Sequence, residues 1–160
     1  QVRQPVWAGS MSVSINQEPA TIYSAASPDE NDTPASGYDP RLAVFQSLRY
    51  PWSMGDIIEI DFEMPIQLHR AHPKVKGHSG KVAVTRGPLV YCLEDVDNPC
   101  VDIFTVRLEP TSLTPHFDPA LLGGIIKLQG KTIDGQPLTF IPYFLWGNRG
   151  PSQMTVWVNT

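Results

Sequence analysis

Several sets of side chains in this 160-residue sequence carry groups that could do chemistry. Glu94, Asp95 and Asp97 fall within one short run, Glu94-Asp95-Val96-Asp97-Asn98. A small β-fold enzyme would use such residues as convergent carboxylates with perturbed pKa values in a pocket. The simpler reading is a polar turn held by Asx-type hydrogen bonds. Glu59, Asp61 and Glu63 recur every second residue and so share one face of an extended strand. Glycoside hydrolysis needs paired acids at defined separations. Nothing beside these three would raise one pKa above another, so a solvated strand face is expected. His69, His72 and His78 invite a zinc reading. Their H-x2-H-x5-H spacing matches no compact ligand pattern, and His69 and His72 face opposite sides of a strand. No metal site is expected there. Asp29, Glu30 and Asp32 lack the regular spacing and central glycine of a calcium loop. Cys92 and Cys100 have a spacing that sterically permits a disulfide. Two cysteines make no disulfide framework, however, and they read as small buried hydrophobes. Tyr143, Trp146 and Trp157, with Asn148 and Arg149, combine aromatic faces with hydrogen-bonding forks. That composition suits sugars, which offer C–H faces and hydroxyls. The competing reading places Tyr143 and Trp146 in core or interdomain packing, with Arg149 satisfying backbone carbonyls at a turn.

The elements that must position these groups read as strands. Hydrophobic residues make up 41% of the chain and charged residues only 18%, while Pro (16) and Gly (12) are frequent. Such a turn-rich profile belongs to many short strands rather than long helices. Met11–Asn16 alternates cleanly, and Ile57–Leu68 alternates most strongly of all. Val101–Leu108 and Met154–Val158 read as further strands, and Asp118–Leu122 as one helical turn. Ile125–Ile133 and Leu138–Leu145 flank an Asp134-Gly135 connection, a strong hairpin signal. Ser24–Pro40 reads as a long polar loop. The expected fold is all-β, an antiparallel, jelly-roll-like β-sandwich built as two small units in tandem. The first spans residues 1–76 and the second residues 77–160, with the basic connector His69–His78 at the boundary. A net charge of −4 without a basic stripe argues against a nucleic-acid partner. No apolar run approaches the ~20 residues of a membrane helix. The start at Gln1-Val2-Arg3 shows no signal peptide and falls inside a strand-like run, so the chain reads as a piece of a longer protein whose compartment is not legible.

The stretch around which the rest is organised is Lys81–Asn98, KVAVTRGPLVYCLEDVDN. Gly87-Pro88 within a strand run predicts a bulge or a crossing between sheets. The stretch resembles the "VA..RGPLVY..E..DN" signature of glycoside hydrolase family 127, the β-L-arabinofuranosidase-like family. Three other segments resemble the same family in the same order. They are Pro5-Val6-Trp7 with Val13–Asn16; Gly37-Tyr38 with Trp52, Gly55-Asp56 and Ile58–Pro65; and Ile141-Pro142-Tyr143 with Trp146, Asn148-Arg149-Gly150, Met154 and Val156-Trp157. Gln4, the Asn16-Gln17 pair and the length of the Ser24–Pro40 loop depart from the pattern. The resemblance implies that catalysis belongs to an (α/α)6 barrel preceding these segments, with a zinc-held cysteine nucleophile and a glutamate acid/base. Neither Cys92 nor any other residue here matches that machinery. No catalytic residue, metal or cofactor is therefore expected in this chain. It is expected to be a non-catalytic accessory region packing on the barrel. The alternative is a free-standing carbohydrate-binding module using Tyr143, Trp146, Asn148 and Arg149.

Overall fold

A computed structural model of the chain describes residues 1–24 and 44–160. Nearly all of the expected loop, with Asp29, Glu30 and Asp32, and the Gly37-Tyr38 pair lie outside the described residues. Among those described, the secondary structure consists of fourteen strands and four short 3-10 turns. The fold is all-β, and the strands pair antiparallel. The chain divides into two compact units, Gln1–Pro65 and Ile66–Thr160.

The first unit holds β1 (Val2–Gln4), β2 (Met11–Ile15), β3 (Glu18–Pro19), β4 (Ile22–Ser24), β5 (Val44–Leu48) and β6 (Ile58–Phe62). They form two three-stranded sheets, β1-β5-β4 and β3-β2-β6. The alternation of β2 buries Met11, Val13 and Ile15, as its pattern predicts. Asn16 and Gln17 make a two-residue hairpin to β3, with φ of 53° and 70°. Two successive positive φ values are the signature of a type I′ turn, whose twist matches the flanking strands. Asn16 then anchors the turn. Its Nδ2 donates to Asp56 Oδ1 at 2.8 Å, and its Oδ1 accepts from the Ile57 amide at 3.0 Å. Ser14 Oγ on β2 donates to Glu59 Oε2 on β6 at 3.2 Å, and just past β6 Glu63 Oε2 accepts from Ser10 Oγ at 2.8 Å.

The second unit holds β7 (Ile66–Arg70), β8 (Lys81–Arg86), β9 (Leu89–Glu94), β10 (Thr114–Asp118), β11 (Ile125–Lys131), β12 (Pro137–Pro142), β13 (Met154–Thr155) and β14 (Trp157–Asn159). One eight-stranded sheet contains them all, in the order β10-β11-β12-β9-β8-β14, with β13 against β9 and β7 against β8. The single strand expected over Ile57–Leu68 is thus two strands in two units, broken at Pro65. The division of the chain falls there rather than at residue 76, because Ile66–Arg70 pairs residue for residue with Val82–Arg86.

Gly87-Pro88 makes neither a bulge nor a crossing. Arg86 pairs directly with Leu89, and Gly87 takes φ of 54°. This is a tight hairpin whose first central residue is a glycine at positive φ, as in type II′ turns. The hairpin strands pair only from Val84–Arg86 to Leu89–Tyr91. Beyond that they part, and the C-terminal segment enters between them. Its first half pairs with Leu93 and Glu94, and its second with Lys81–Ala83. Val82, Val84, Tyr91, Leu93, Leu108, Leu128, Phe140 and Val158 form the core beneath this junction. The buried Tyr91 hydroxyl donates to the Ile126 carbonyl at 2.8 Å. The Asp134-Gly135 connection is the expected turn between β11 and β12, with Gly135 at φ of 83°.

Two expected elements are absent among the described residues. Val101–Leu108 turns instead of extending, because the Asp102 carboxylate accepts from the Phe104 amide and from Thr105 Oγ1 at 3.0 and 2.9 Å. Such local side-chain bonds compete with a strand ladder. Asp118 does cap the Ala120 and Leu121 amides, at 3.1 and 3.2 Å, but the turn opens at Leu122 without becoming helical.

Candidate functional site

Glu94 ends β9, and the next three residues form a 3-10 turn, Asp95–Asp97. The Tyr143–Arg149 segment, distant in sequence, is close in space because β12 lies against β9 and delivers its own end beside Glu94. Pro142 stops β12, and Tyr143–Leu145 makes a second 3-10 turn. Leu145 points back onto the cluster of Cys92, Ile125 and Ile141. The turn is thereby pinned on its apolar side.

Its polar side is pinned by charge. Arg149 Nη1 and Nη2 donate to the two carboxylate oxygens of Asp97 at 2.6 and 2.5 Å, and Nη2 also donates to Glu94 Oε2 at 2.5 Å. Glu94 Oε1 accepts from the Gly147 amide at 2.8 Å and from Ser152 Oγ at 2.6 Å. Glu94 is only 1% exposed. Burial pushes its pKa up, but the Ser152 hydroxyl, the Gly147 amide and the Arg149 guanidinium outweigh burial and hold the carboxyl below its ordinary range. The same carboxylates hold the Arg149 pKa above its usual value. Asp95 closes the network, its Oδ1 accepting from the Gln153 amide at 3.1 Å.

Asn98 extends the network into the sheet. It is buried, its Nδ2 donates to the Glu94 and Thr139 carbonyls at 2.7 and 3.0 Å, and its Oδ1 accepts from the Thr139 amide at 2.8 Å. The run Glu94–Asn98 is therefore more than a self-contained Asx turn. It grips β12 through Asn98 and the 143–153 segment through Glu94, Asp95 and Asp97.

This geometry reassigns two expected roles. Arg149 does not satisfy turn carbonyls; it is committed to two carboxylates. Glu94 and Asp97 do converge, yet Arg149 stands between them as their counter-ion, and Glu94 is held ionised. An acid/base pair needs one carboxyl raised and the other free, so this arrangement makes a clamp. Sequence reasoning found Arg149 and the Glu94–Asn98 run separately and missed that they meet. The available signal was that both sit in segments of the same resemblance, each carrying opposite charge.

What the clamp presents is aromatic. Tyr143 is 44% exposed, Phe144 65% and Trp146 41%. Phe144 was not among the expected residues. Asn148 is exposed and bonds within its own turn, Nδ2 donating to the Leu145 carbonyl at 3.0 Å. Trp157 lies apart from this rim, half-buried and stacked on His78 with ring centroids 4.6 Å apart and 14° between planes. Cys92 is buried and free, its thiol pushed up to about 12 by burial and by the charges of Glu94 and Asp97, against a smaller downward pull from Arg149; Cys100 is free and exposed. His69 Nε2 lies 2.8 Å from Thr85 Oγ1, and His72 Nδ1 accepts from the Lys74 amide at 3.2 Å. Among the described residues no three His, Cys, Asp or Glu side chains converge as metal ligands.

Comparison with known proteins places this architecture. Residues 66–159 match the glycoside hydrolase family 127 C-terminal domain, a span coinciding with the second unit. The non-reducing end β-L-arabinofuranosidase of Bifidobacterium longum subsp. longum is 33% identical over 129 residues, which cover 64% of this chain and 20% of that protein. A family 127 β-L-arabinofuranosidase of Geobacillus stearothermophilus T6, solved by crystallography, superposes with a TM-score of 0.68 at 32% identity, over 98% of this chain and 25% of its own. Another solved family 127 β-arabinofuranosidase gives a TM-score of 0.64 at 25% identity, over 98% of this chain and 24% of its own. The chain thus spans about a fifth to a quarter of the length of these relatives.

Proposed function

Because this chain belongs to glycoside hydrolase family 127, we propose that it is the non-catalytic β-sandwich region of an arabinofuranosidase-like enzyme, packing on and supporting a catalytic (α/α)6 barrel elsewhere in the same protein. The observation that carries this reading is the aromatic rim. Tyr143, Phe144 and Trp146 stand exposed on a turn immobilised by Leu145 from below and by the Arg149 clamp from the side. Large exposed aromatics held rigid are suited to contact. A surface of this kind supports docking at little cost in conformational entropy, because its turn is already ordered. The clamp in turn accounts for the ionised carboxylates without assigning them chemistry.

The same rim supports a second reading, a carbohydrate-binding module in which Tyr143 and Trp146 stack on sugar rings. One experiment separates the two. The 160-residue chain is assayed for hydrolysis of an aryl β-L-arabinofuranoside and titrated calorimetrically with arabinose- and galactose-containing oligosaccharides, beside a Tyr143→Ala, Trp146→Ala variant. Arg149 is left intact, because its removal would undo the turn. Neither hydrolysis nor binding is the result the accessory reading expects. Sub-millimolar binding lost in the variant would replace it with the module, and hydrolysis by the chain alone would overturn both.

A further inference from the structure

The charge of this chain is unevenly placed. Residues 64–93 hold five of its twelve Lys and Arg residues, three of its four His and no Asp or Glu. Part of that block closes on itself. β7 ends at Arg70, which pairs with Val82, so the connection 71–80 must fold back over the end of the β7–β8 ladder. Consecutive turns hold it there: the Val75 amide donates to the His72 carbonyl, the His78 amide to Val75 and the Ser79 amide to Lys76. Beneath the fold lies a cavity of about 220 Å³, lined by Arg70, His72, His78 and Lys81 among others and by no acidic residue.

Two further features mark this cavity as a cation-lined site lacking its counter-charge. Among the described residues neither Arg70 nor Lys81 takes part in an ion pair. His72 accepts the Lys74 amide at Nδ1, which leaves Nε2 as its N–H donor. His78 lines the cavity as a wall rather than as a donor: it is fixed by its stack on Trp157, and its Nδ1 is buried out of a ligand's reach.

We propose that this cavity is an anion site, taking the carboxylate of a single acidic sugar unit between Arg70 and Lys81, with His72 Nε2 donating a hydrogen bond to the ligand. Its volume lies below the ~300–1,000 Å³ of pockets for drug-sized ligands, so one ring or less is the scale of ligand that fits. Arg supplies a fork matched to a carboxylate, and Lys a point charge. The anion requirement rests on the cavity alone; the choice of a sugar to carry it rests on the glycoside hydrolase reading.

The test is titration of the 160-residue chain with D-galacturonate, D-galactose and inorganic phosphate, followed by amide chemical shifts. Galacturonate is expected to saturate in the millimolar range with shifts centred on residues 70–81, to weaken as salt is raised, and to leave galactose without effect. An Arg70→Gln, Lys81→Gln variant should lose affinity roughly tenfold or more. His72→Phe, which removes the exposed ring's N–H donor, should weaken binding while the fold persists. No galacturonate binding, equal binding of galactose, binding of phosphate alone, or full affinity in the double variant would overturn the proposal. Hydrolysis and oligosaccharide binding at the aromatic rim are separate readouts, so failure here is distinct from failure of the accessory reading.

Discussion

Arg149 Nη2 donates to Glu94 Oε2 at 2.5 Å across 55 residues of sequence, and with the Gly147 amide on Glu94 Oε1 it joins the end of β9 to the aromatic turn. Glu94 is buried, so removing its cation would strand an ionised carboxylate away from water. Breaking a buried pair in this way costs about 3–5 kcal/mol. Arg149→Met is therefore expected to destabilise the second unit by about that much, read as a fall in urea midpoint. Arg149→Lys should recover only part of it, because one ammonium cannot reproduce a fork spanning both Glu94 and Asp97. Stability unchanged in Arg149→Met would show that the clamp does not hold the turn.

The same carboxyl sets a pH dependence. The folded-state pKa of Glu94 lies below its ordinary 4.5. Between the depressed value and the ordinary one, the unfolded chain binds more protons than the folded chain. The Glu94 contribution is thus fully present above about pH 5 and is lost as pH falls through the folded-state value. Wild type should lose stability on acidification below about pH 4.5, and Glu94→Gln should show a shallower loss over that window, whatever its stability at neutral pH. Parallel acid-unfolding curves for the two would remove Glu94 as the source.

The sequence made some of this legible and hid the rest for identifiable reasons. Met11, Val13 and Ile15 alternate because one face of β2 is dry, and alternation is visible in any window of that length. The Asp134-Gly135 turn announces itself through residue type. Val101–Leu108 misleads because it is as apolar as a strand while Asp102 diverts the backbone by bonds of two and three residues' reach. Gly87-Pro88 misleads differently, since a two-residue hairpin and a bulge share that dipeptide and only the Arg86–Leu89 pairing separates them. The clamp was hidden because it depends on β12 lying beside β9, a long-range pairing that no local pattern encodes.

Cys92 and Cys100 are expected to part company in reactivity. The Cys92 thiol is buried and pushed up to about 12, so almost none is thiolate at pH 8, whereas Cys100 is exposed. A thiol reagent should label one equivalent promptly at Cys100 and the second only on unfolding; Cys100→Ser should abolish the prompt phase. The raised pKa also has a stability consequence at high pH. Above the ordinary 9.0 the unfolded chain loses this proton and the folded chain keeps it, so stability should decline between about pH 9 and 12. Prompt labelling of both thiols in the folded chain would contradict the placement of Cys92.

Gln17 occupies a position that suits glycine, and this gives a stabilising substitution. At φ of 70° its Cβ meets the steric penalty of the left-handed region, about 1–2 kcal/mol. Glycine relieves that strain but adds about 0.4–1 kcal/mol of unfolded-state entropy. Gln17→Gly should therefore raise the stability of the first unit by roughly 0.5–1 kcal/mol net. Asn16, in the same turn at φ of 53°, should respond in the opposite sense. Asn16→Gly relieves less strain, since asparagine tolerates the left-handed region, and it removes the bonds to Asp56 Oδ1 and to the Ile57 amide; a lost hydrogen bond outweighs the gain wherever it leaves its partner unpaired. Thermal unfolding of the two single variants decides it. Stabilisation by Gln17→Gly with destabilisation by Asn16→Gly identifies Gln17 as the strained half of the turn and Asn16 as its anchor. Equal shifts in the same direction would mean that backbone conformation alone governs both positions.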